Sequence, residues 1–405
     1  MASGERTIPI WLVAFANLPF GLFGGMMLVT LEQILAARHV PESGIATITT
    51  IALIPTFANI PFAPILDVGF SRRFYAVALG LATGALSIAT LLAFANLAVL
   101  SVLVFLACLA AALFTAALGG WMGAALPKEA DRQLGVWFNV GNGGGFGVGA
   151  LLFISLYRAL PEPWGAVSIG LAMIAPLPVL ALLPLPPSER KGLRESFGQL
   201  VRDIVDLLKQ PHVLRLLPLL ALPCASFALT NMFGGVGNEF HASEALVAAI
   251  SGIGVTLTVI VASPLAGKIL GRVPGPPFYL AIGVVGALFT LSLLLLPRAP
   301  ATFAWAVVGE NVFQTAAFTV SNAMIFCSIA PDSKLAATQF AVLYGATAAP
   351  ITYMQAIDGR GYAAGGLAGA FLTDAAVSTV ICALLVVPVI HWHRRRAFDP
   401  PILPS

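Results

Sequence analysis

An all-α membrane protein with twelve transmembrane helices is the fold class this sequence predicts. Three observations predict it: 59% of the 405 residues are hydrophobic, only 10% are charged, and the apolar runs are continuous rather than alternating. A soluble chain carries about 25% charge, so cytosolic enzymes, nucleic-acid binders and disordered scaffolds are excluded. At roughly 20 residues per crossing the apolar content suffices for about twelve passes. Helices are preferred to a β-barrel because they satisfy their own backbone groups in lipid and do not need alternating polarity.

The first apolar run, 8–37, is too long for a signal-peptide core and has no small-residue cleavage site, so it is expected to be a membrane helix. Runs at 43–66, 74–97, 99–126, 133–157 and 165–185 complete a set of six. The hydrophilic stretch 186–212 follows. Its Leu193, Phe197, Leu200, Val201, Ile204, Val205 and Leu208 recur at helical spacing between charges, the pattern of an amphipathic helix on a membrane surface. Six further runs lie at 213–238, 245–270, 277–297, 301–330, 335–357 and 364–391. The expected organisation is an N-terminal six-helix bundle over 1–185, a cytoplasmic linker over 186–212 and a C-terminal six-helix bundle over 213–405.

Basic residues orient this layout. With both termini cytoplasmic, 17 of the 21 Lys and Arg residues fall inside, and Arg38, Arg158, Arg298 and Arg360 make the 4 outside. The bias predicts an even number of crossings.

The two sets of six also echo each other. Pro64, then Arg72 and Arg73, Phe74-Tyr75 and AVALGLATGAL, reappear about 200 residues later as Pro264, Lys268, Arg272, Phe278-Tyr279 and LAIGVVGAL. Together with the central linker this layout resembles the major facilitator architecture: two six-helix bundles, related by pseudo-two-fold symmetry, that rock about a midplane site.

A narrower resemblance rests on longer segments. LPFGLFGG, TLEQILAARHV and APILD in the first two helices, and LGVWFNVGNGGGFGVGALL in the fifth, are similar to the AmpG-type permeases, in particular to small bacterial members with twelve helices. FALTNMFGGVGNEFHAS, GENVFQTAAFTVSNAMIFCS and AATQFAVLYGA resemble the seventh, tenth and eleventh helices of that branch. The pairing of Glu310-Asn311 with Ala337-Thr338-Gln339-Phe340 is the most specific part. The resemblance implies a secondary transporter of the bacterial inner membrane. Two departures stand out: Asn59 occupies a position where many relatives have lysine, and Val68 one where they have arginine. An anionic substrate group would find no cation at either.

Polar residues within spans carry the chemistry, because burying them costs several kcal/mol unless a cavity or partner compensates. Glu310 and Asp374 lie well inside their runs, and Glu32 lies toward the outer end of its own. These three are the proton-coupling candidates. No intramembrane cation pairs with Glu310, and burial disfavours an unpaired charge. Glu310, Gln314, Phe318, Ser321 and Asn322 follow steps of three and four, which puts them on one face, expected to look into a central cavity. Asn17, Asn139, Asn142, Asn231, Asn311 and Gln339 join Gln314 and Asn322 as substrate-cavity candidates, although amides also bond helix to helix. At the inner end of the second helix, Asp67 with Arg72 and Arg73 resembles the cytoplasmic gate of the superfamily, in which an aspartate and basic residues latch the two halves. Gly141, Gly145 and Gly149, spaced by four, let the fifth helix approach a neighbour closely.

No catalytic residue and no cofactor are expected: G-x-S-x-G, H-E-x-x-H and a P-loop are all missing from the sequence. His391 and His393, followed by Arg394, Arg395 and Arg396, suit an interfacial cap better than a metal site. Cys108, Cys224, Cys327 and Cys382 lie in separate apolar runs, where buried packing is expected. The expected function is proton-coupled import of a medium-sized polar or amphipathic solute, a muropeptide-like fragment or a siderophore. Proton-driven drug or metabolite efflux is the alternative, and a non-transporting membrane sensor a distant one. The expected partners are the solute, protons and the bilayer, with no nucleic acid, and the chain is expected to act as a monomer.

Overall fold

The computed structural model describes residues 9–184, 205–233, 235–331 and 333–394, and among these there are helices and turns but no strands. Among the described residues, eight helices are long and apolar enough to cross a membrane. Most of the expected linker, together with Arg6, Arg395 and Arg396, lies outside the described residues; its last part, 205–209, is helical.

Helix α1 (Leu12–Ala37) contains a wider turn at Met26–Thr30. The second expected crossing is broken. Helix α2 (Glu42–Leu53) gives way to a single turn, Pro55–Ala58, and a tight 3-10 turn, Ala63–Asp67. Pro55, Pro61 and Pro64 each remove a backbone donor, which explains the interruptions. Helix α3 (Arg72–Leu92) starts where the Ser71 hydroxyl accepts the Phe74 N–H at 3.1 Å. Helix α4 (Leu97–Ala125) is capped in the same way by Asn96. Helices α5 (Asp131–Ala159) and α6 (Glu162–Ile174) follow, the latter tightening beyond Pro176 into a 3-10 turn.

The seventh expected crossing is broken as well. Helix α7 (Pro211–Ala221) stops before Pro223, and Phe227 takes a left-handed φ of 48°. Two 3-10 turns lead on to α8 (Ala245–Leu270), α9 (Gly275–Leu295) and α10 (Pro300–Ser328). With 29 residues α10 is long enough to cross, yet its Glu310, Asn311, Gln314, Ser321 and Asn322 leave it too polar to count among the eight.

Helix α11 (Ala336–Arg394) has 59 residues and bends back at Gly365 and Gly366, the second with φ of +59°. At 1.5 Å per residue a straight helix of that length would span almost three hydrocarbon cores. Its two arms instead lie side by side: a Cβ placed on Gly361 would stand 2.7 Å from the Gly369 carbonyl oxygen. The positive φ of Gly366, which a residue with a side chain rarely adopts, explains how the chain reverses without a loop.

Helix α5 is the spine of the fold. Cβ atoms on Gly141, Gly145 and Gly149 would stand 2.2, 2.8 and 2.9 Å from the carbonyl oxygens of Ala14, Leu18 and Leu22, so backbone meets backbone between α5 and α1. On its other side Gly143 abuts Val259 and Gly147 abuts Thr256, both on α8, while Gly135 abuts Ala323 on α10. One apolar core lies wholly among α1–α6, around Phe23, Met26, Leu100 and Phe153, and another among the later helices, around Phe233, Phe303 and Phe371. A third joins them, with Trp121 and Phe138 packed among Phe326, Phe340 and Leu343. Cys108, Cys224 and Cys382 are buried as expected, whereas Cys327, near the end of α10, is exposed.

Candidate functional site

The connection between α10 and α11 is held at both ends by residues from α2–α5. Asp67, its side chain fully buried, accepts the N–H of Ala337 at 3.1 Å, and the N–H and hydroxyl of Thr338 at 2.8 and 2.7 Å. Those N–H groups belong to the first turn of α11 and have no partner within the helix, so a carboxylate there satisfies them and meets the positive end of the helix dipole. Arg72 holds Asp67 in place at 2.9 Å and donates onward to the Ser333 and Lys334 carbonyls at 2.7 and 3.1 Å. Arg73 forms no ion pair among the described residues. It stands one position along the helix from Arg72, about 100° round the axis.

At the other end of the same connection, Lys128 donates to the carbonyls of Phe326, in the last turn of α10, and Ile329, just beyond it, and pairs with Asp131 at 3.3 Å. A cation on a helix C-terminus mirrors the anion on the N-terminus of α11. Close packing reinforces the cap on α11: a Cβ on Gly120 would stand 2.4 Å from the Ala337 backbone.

Deeper in the fold, Asn139 donates to Ser263 on α8 at 3.0 Å and to Thr319 and the Thr315 carbonyl on α10 at 3.2 and 3.3 Å. Asn142 donates to the Tyr344 hydroxyl on α11 at 3.1 Å. These two residues cross between the early and late helices. Asn17 instead ties α1 to the Phe138 carbonyl and to Thr115, at 3.0 Å each. Gln314 donates to Thr230 at 2.9 Å, Gln339 to the Ser328 carbonyl at 2.8 Å, and Asn311 to the Val307 carbonyl of its own helix at 2.8 Å. Asn231 is exposed, and Asn322 is buried with its side-chain oxygen unpartnered. The hollow lined by Ser226, Phe318, Ser321 and Thr347, within the later segments, has a volume of about 10 Å³, at most the space of one water.

Glu310 does not look toward α5. Thr319, which bonds Asn139, lies nine residues on and therefore half a turn round the helix. Glu310 is turned into the later helices, where Thr290 of α9 donates to its Oε1 at 2.5 Å and Oε2 has no partner. Its charged neighbours there are Asp374 and Asp358, the two acids on the arms of α11. Asp358 stands seven residues before the Gly365–Gly366 reversal and Asp374 eight after it, so they lie on the two arms of one hairpin. All three acids are buried, 0%, 2% and 3% exposed in the order Glu310, Asp358, Asp374. Among the described residues none of them has an ion-pair partner. Glu32 is apart from them, accepting the Thr49 hydroxyl at 2.9 Å between α1 and α2.

Asp358 was missed because the eleventh run was ended at 357, which placed the acid in a loop with Arg360. Lys128 and Thr338 had no local signal: a helix cap supplied from a distant segment leaves no spacing pattern.

The model of the Major Facilitator Superfamily matches residues 13–351. The chain belongs to the major facilitator superfamily. It is thus a multi-pass membrane transporter for a small molecule and not an enzyme. Among solved structures, the human organic anion transporter MFSD10 (TETRAN) is similar, with a TM-score of 0.65, 14% identity, and coverage of 93% of this chain and 98% of that one. This likeness is one of fold. No curated protein sequence matches the chain.

Proposed function

We propose that this superfamily member is a proton-coupled secondary transporter working by alternating access, with Glu310, Asp358 and Asp374 as the coupling site. The carboxyl cluster is the observation that carries the proposal. Asp358 and Asp374, buried and without an ion-pair partner among the described residues, are costly as anions at membrane depth, which suits them to take up and release a proton. Glu310 beside them, with one oxygen unpartnered, offers the next position for it. Both acids on α11 flank its reversal, so a movement of either arm changes their separation.

The chain then crosses twelve times in two six-helix halves, 1–185 and 213–405, joined by the linker 186–212. Helix α11 accounts for two crossings, α10 for one despite its polarity, and each broken segment, from Glu42 and from Pro211, for one. Broken helices at membrane depth are a recurrent feature of transporters. Both termini are cytoplasmic in a bacterial inner membrane, Asp67 and Arg72 form the latch on that side, and the unit is a monomer. Resemblance to the AmpG-type branch favours import of a muropeptide-like fragment or a siderophore. Asn139, Asn142, Tyr344, Ser263 and Thr319 supply uncharged hydrogen-bonding groups between the halves, which suits a polar solute without a full negative charge. Aromatic contacts of Phe20 and Phe138 with Tyr344 favour, as the second reading, efflux of an amphipathic drug or metabolite against protons.

Uptake and efflux profiling of a deletion strain over these solute classes identifies the cargo. With it in hand, Glu310→Gln, which keeps the shape but cannot titrate, should retain counterflow in proteoliposomes and lose accumulation driven by a pH gradient. If Glu310→Gln, Asp358→Asn and Asp374→Asn all accumulate cargo as wild type does, the coupling site is elsewhere.

A further inference from the structure

A further cavity lies where an early and a late helix meet. It lies on the flank, at the same end of the helices as Asp67, where α5 and α8 enclose about 480 Å³. Arg132 on α5, Lys268 on α8 and Arg272 just beyond it line the cavity, and no carboxylate does. None of the three forms an ion pair among the described residues. Arg132 reaches across to the end of α8: a Cβ placed on Gly271 would meet its Nη1 at 2.1 Å. Three like charges gathered without a counter-ion among the described residues repel one another, and an anion seated among them relieves that repulsion.

The floor of the cavity is apolar, formed by Val136, Trp137 and Pro264. On α8 the residues leading to it, Val261, Leu265 and Ile269, are 58%, 52% and 46% exposed, a stripe of large hydrophobic side chains that only lipid would cover. Lys268 and Arg272 continue that stripe at helical spacing to the helix end, the level of the headgroups. A phosphate held by basic side chains at the top of an apolar track has the chemistry of a phospholipid. A free anion would gain nothing from the track or from the indole of Trp137.

We propose that this cavity binds the headgroup of an anionic phospholipid, with the acyl chains along Val261, Leu265 and Ile269 of α8. Basic pockets between membrane helices suit such headgroups. The leaflet is the cytoplasmic one on the orientation proposed above; the site itself is independent of cargo and of proton coupling. Because Arg132 comes from one half and Lys268 and Arg272 from the other, a bound headgroup ties α5 to α8 on the face where Asp67 ties the α2–α3 connection to α11. Occupancy therefore favours the state closed on that side.

The test uses the full chain in nanodiscs of neutral phosphatidylcholine, doped with brominated phosphatidylglycerol or with brominated phosphatidylcholine. Tryptophan quenching is read, and the Trp137 component is obtained by difference from Trp137→Phe. The anionic lipid should quench that component at a mole fraction about tenfold lower than the neutral lipid. Arg132→Gln, Lys268→Gln and Arg272→Gln combined should abolish the preference, while Lys268→Arg with Arg272→Lys keeps it, which separates loss of charge from loss of fold. Equal quenching by the two lipids in the wild type overturns the proposal. So does displacement of the anionic lipid by millimolar inorganic phosphate, which would make the cavity a site for a free anion.

Discussion

Asp67 caps Thr338 across 271 residues of chain, accepting its backbone N–H at 2.8 Å and its hydroxyl at 2.7 Å on a single carboxylate oxygen. The cap and the charge come from the α2–α3 connection, while the helix that needs them begins in the other part of the molecule. Separation of the two parts on this face exposes the first turn of α11 and strips Asp67 of every partner except Arg72.

Asp67→Asn should therefore weaken the closed state by the value of charge-assisted hydrogen bonds, on the order of 1.5–3 kcal/mol. With the four native cysteines replaced and Ser226→Cys introduced beside the mid-membrane hollow, labelling from the latch side by a membrane-impermeant thiol reagent should rise at least about tenfold. Unchanged labelling would remove the latch.

Lys128→Met leaves the Phe326 and Ile329 carbonyls at the end of α10 without their cation and leaves Asp131 without its ion-pair partner. A helix C-terminal cation contributes about 0.3–1 kcal/mol, and up to about 2 when partly buried. The same Ser226→Cys labelling should rise, by less than with Asp67→Asn, and Lys128→Arg should restore most of the closure. If Lys128→Met labels no faster than wild type, the cap contributes only to the fold.

Glycines on α5 divide sharply by surroundings. Gly141→Val drives a branched side chain into the Ala14 carbonyl and should cost about 1–3 kcal/mol, seen as a fall in thermal unfolding temperature in detergent. Gly144 has nothing within 4 Å of a Cβ. Gly144→Ala should be tolerated without loss. Equal tolerance of both would mean that α1 and α5 do not rely on backbone contact.

Topology is open to direct measurement. Reporter tags at residue 200 and at the C-terminus should both indicate the cytoplasm, and a tag near Arg360 the opposite face. Tags at residue 200 and at the C-terminus on opposite faces would refute the division into two sets of six.

Hydropathy by itself determined that this chain is a bundle of membrane helices, because in lipid every apolar run of sufficient length must become a helix and every strong interruption must surface or find a partner. Residue type and depth also singled out Glu310 and Asp374, since an acid in such a run is rare and costly. The same depth signal hid Asp358, one residue beyond an assumed boundary, because the end of an apolar run does not mark the end of a helix that goes on to Gly365. Pro55 and Pro223 were visible, yet whether a proline kinks a crossing or breaks it depends on what packs around the freed carbonyls. The four-residue glycine spacing of α5 announced a close neighbour; that α1 takes one side and α8 the other was decided by shape. Composition likewise said nothing of which helix ends Asp67 and Lys128 would cap, nor that Arg132 would join Lys268 and Arg272 around one cavity. Such contacts join residues more than a hundred positions apart, and only the tertiary arrangement brings their charges within reach of one another.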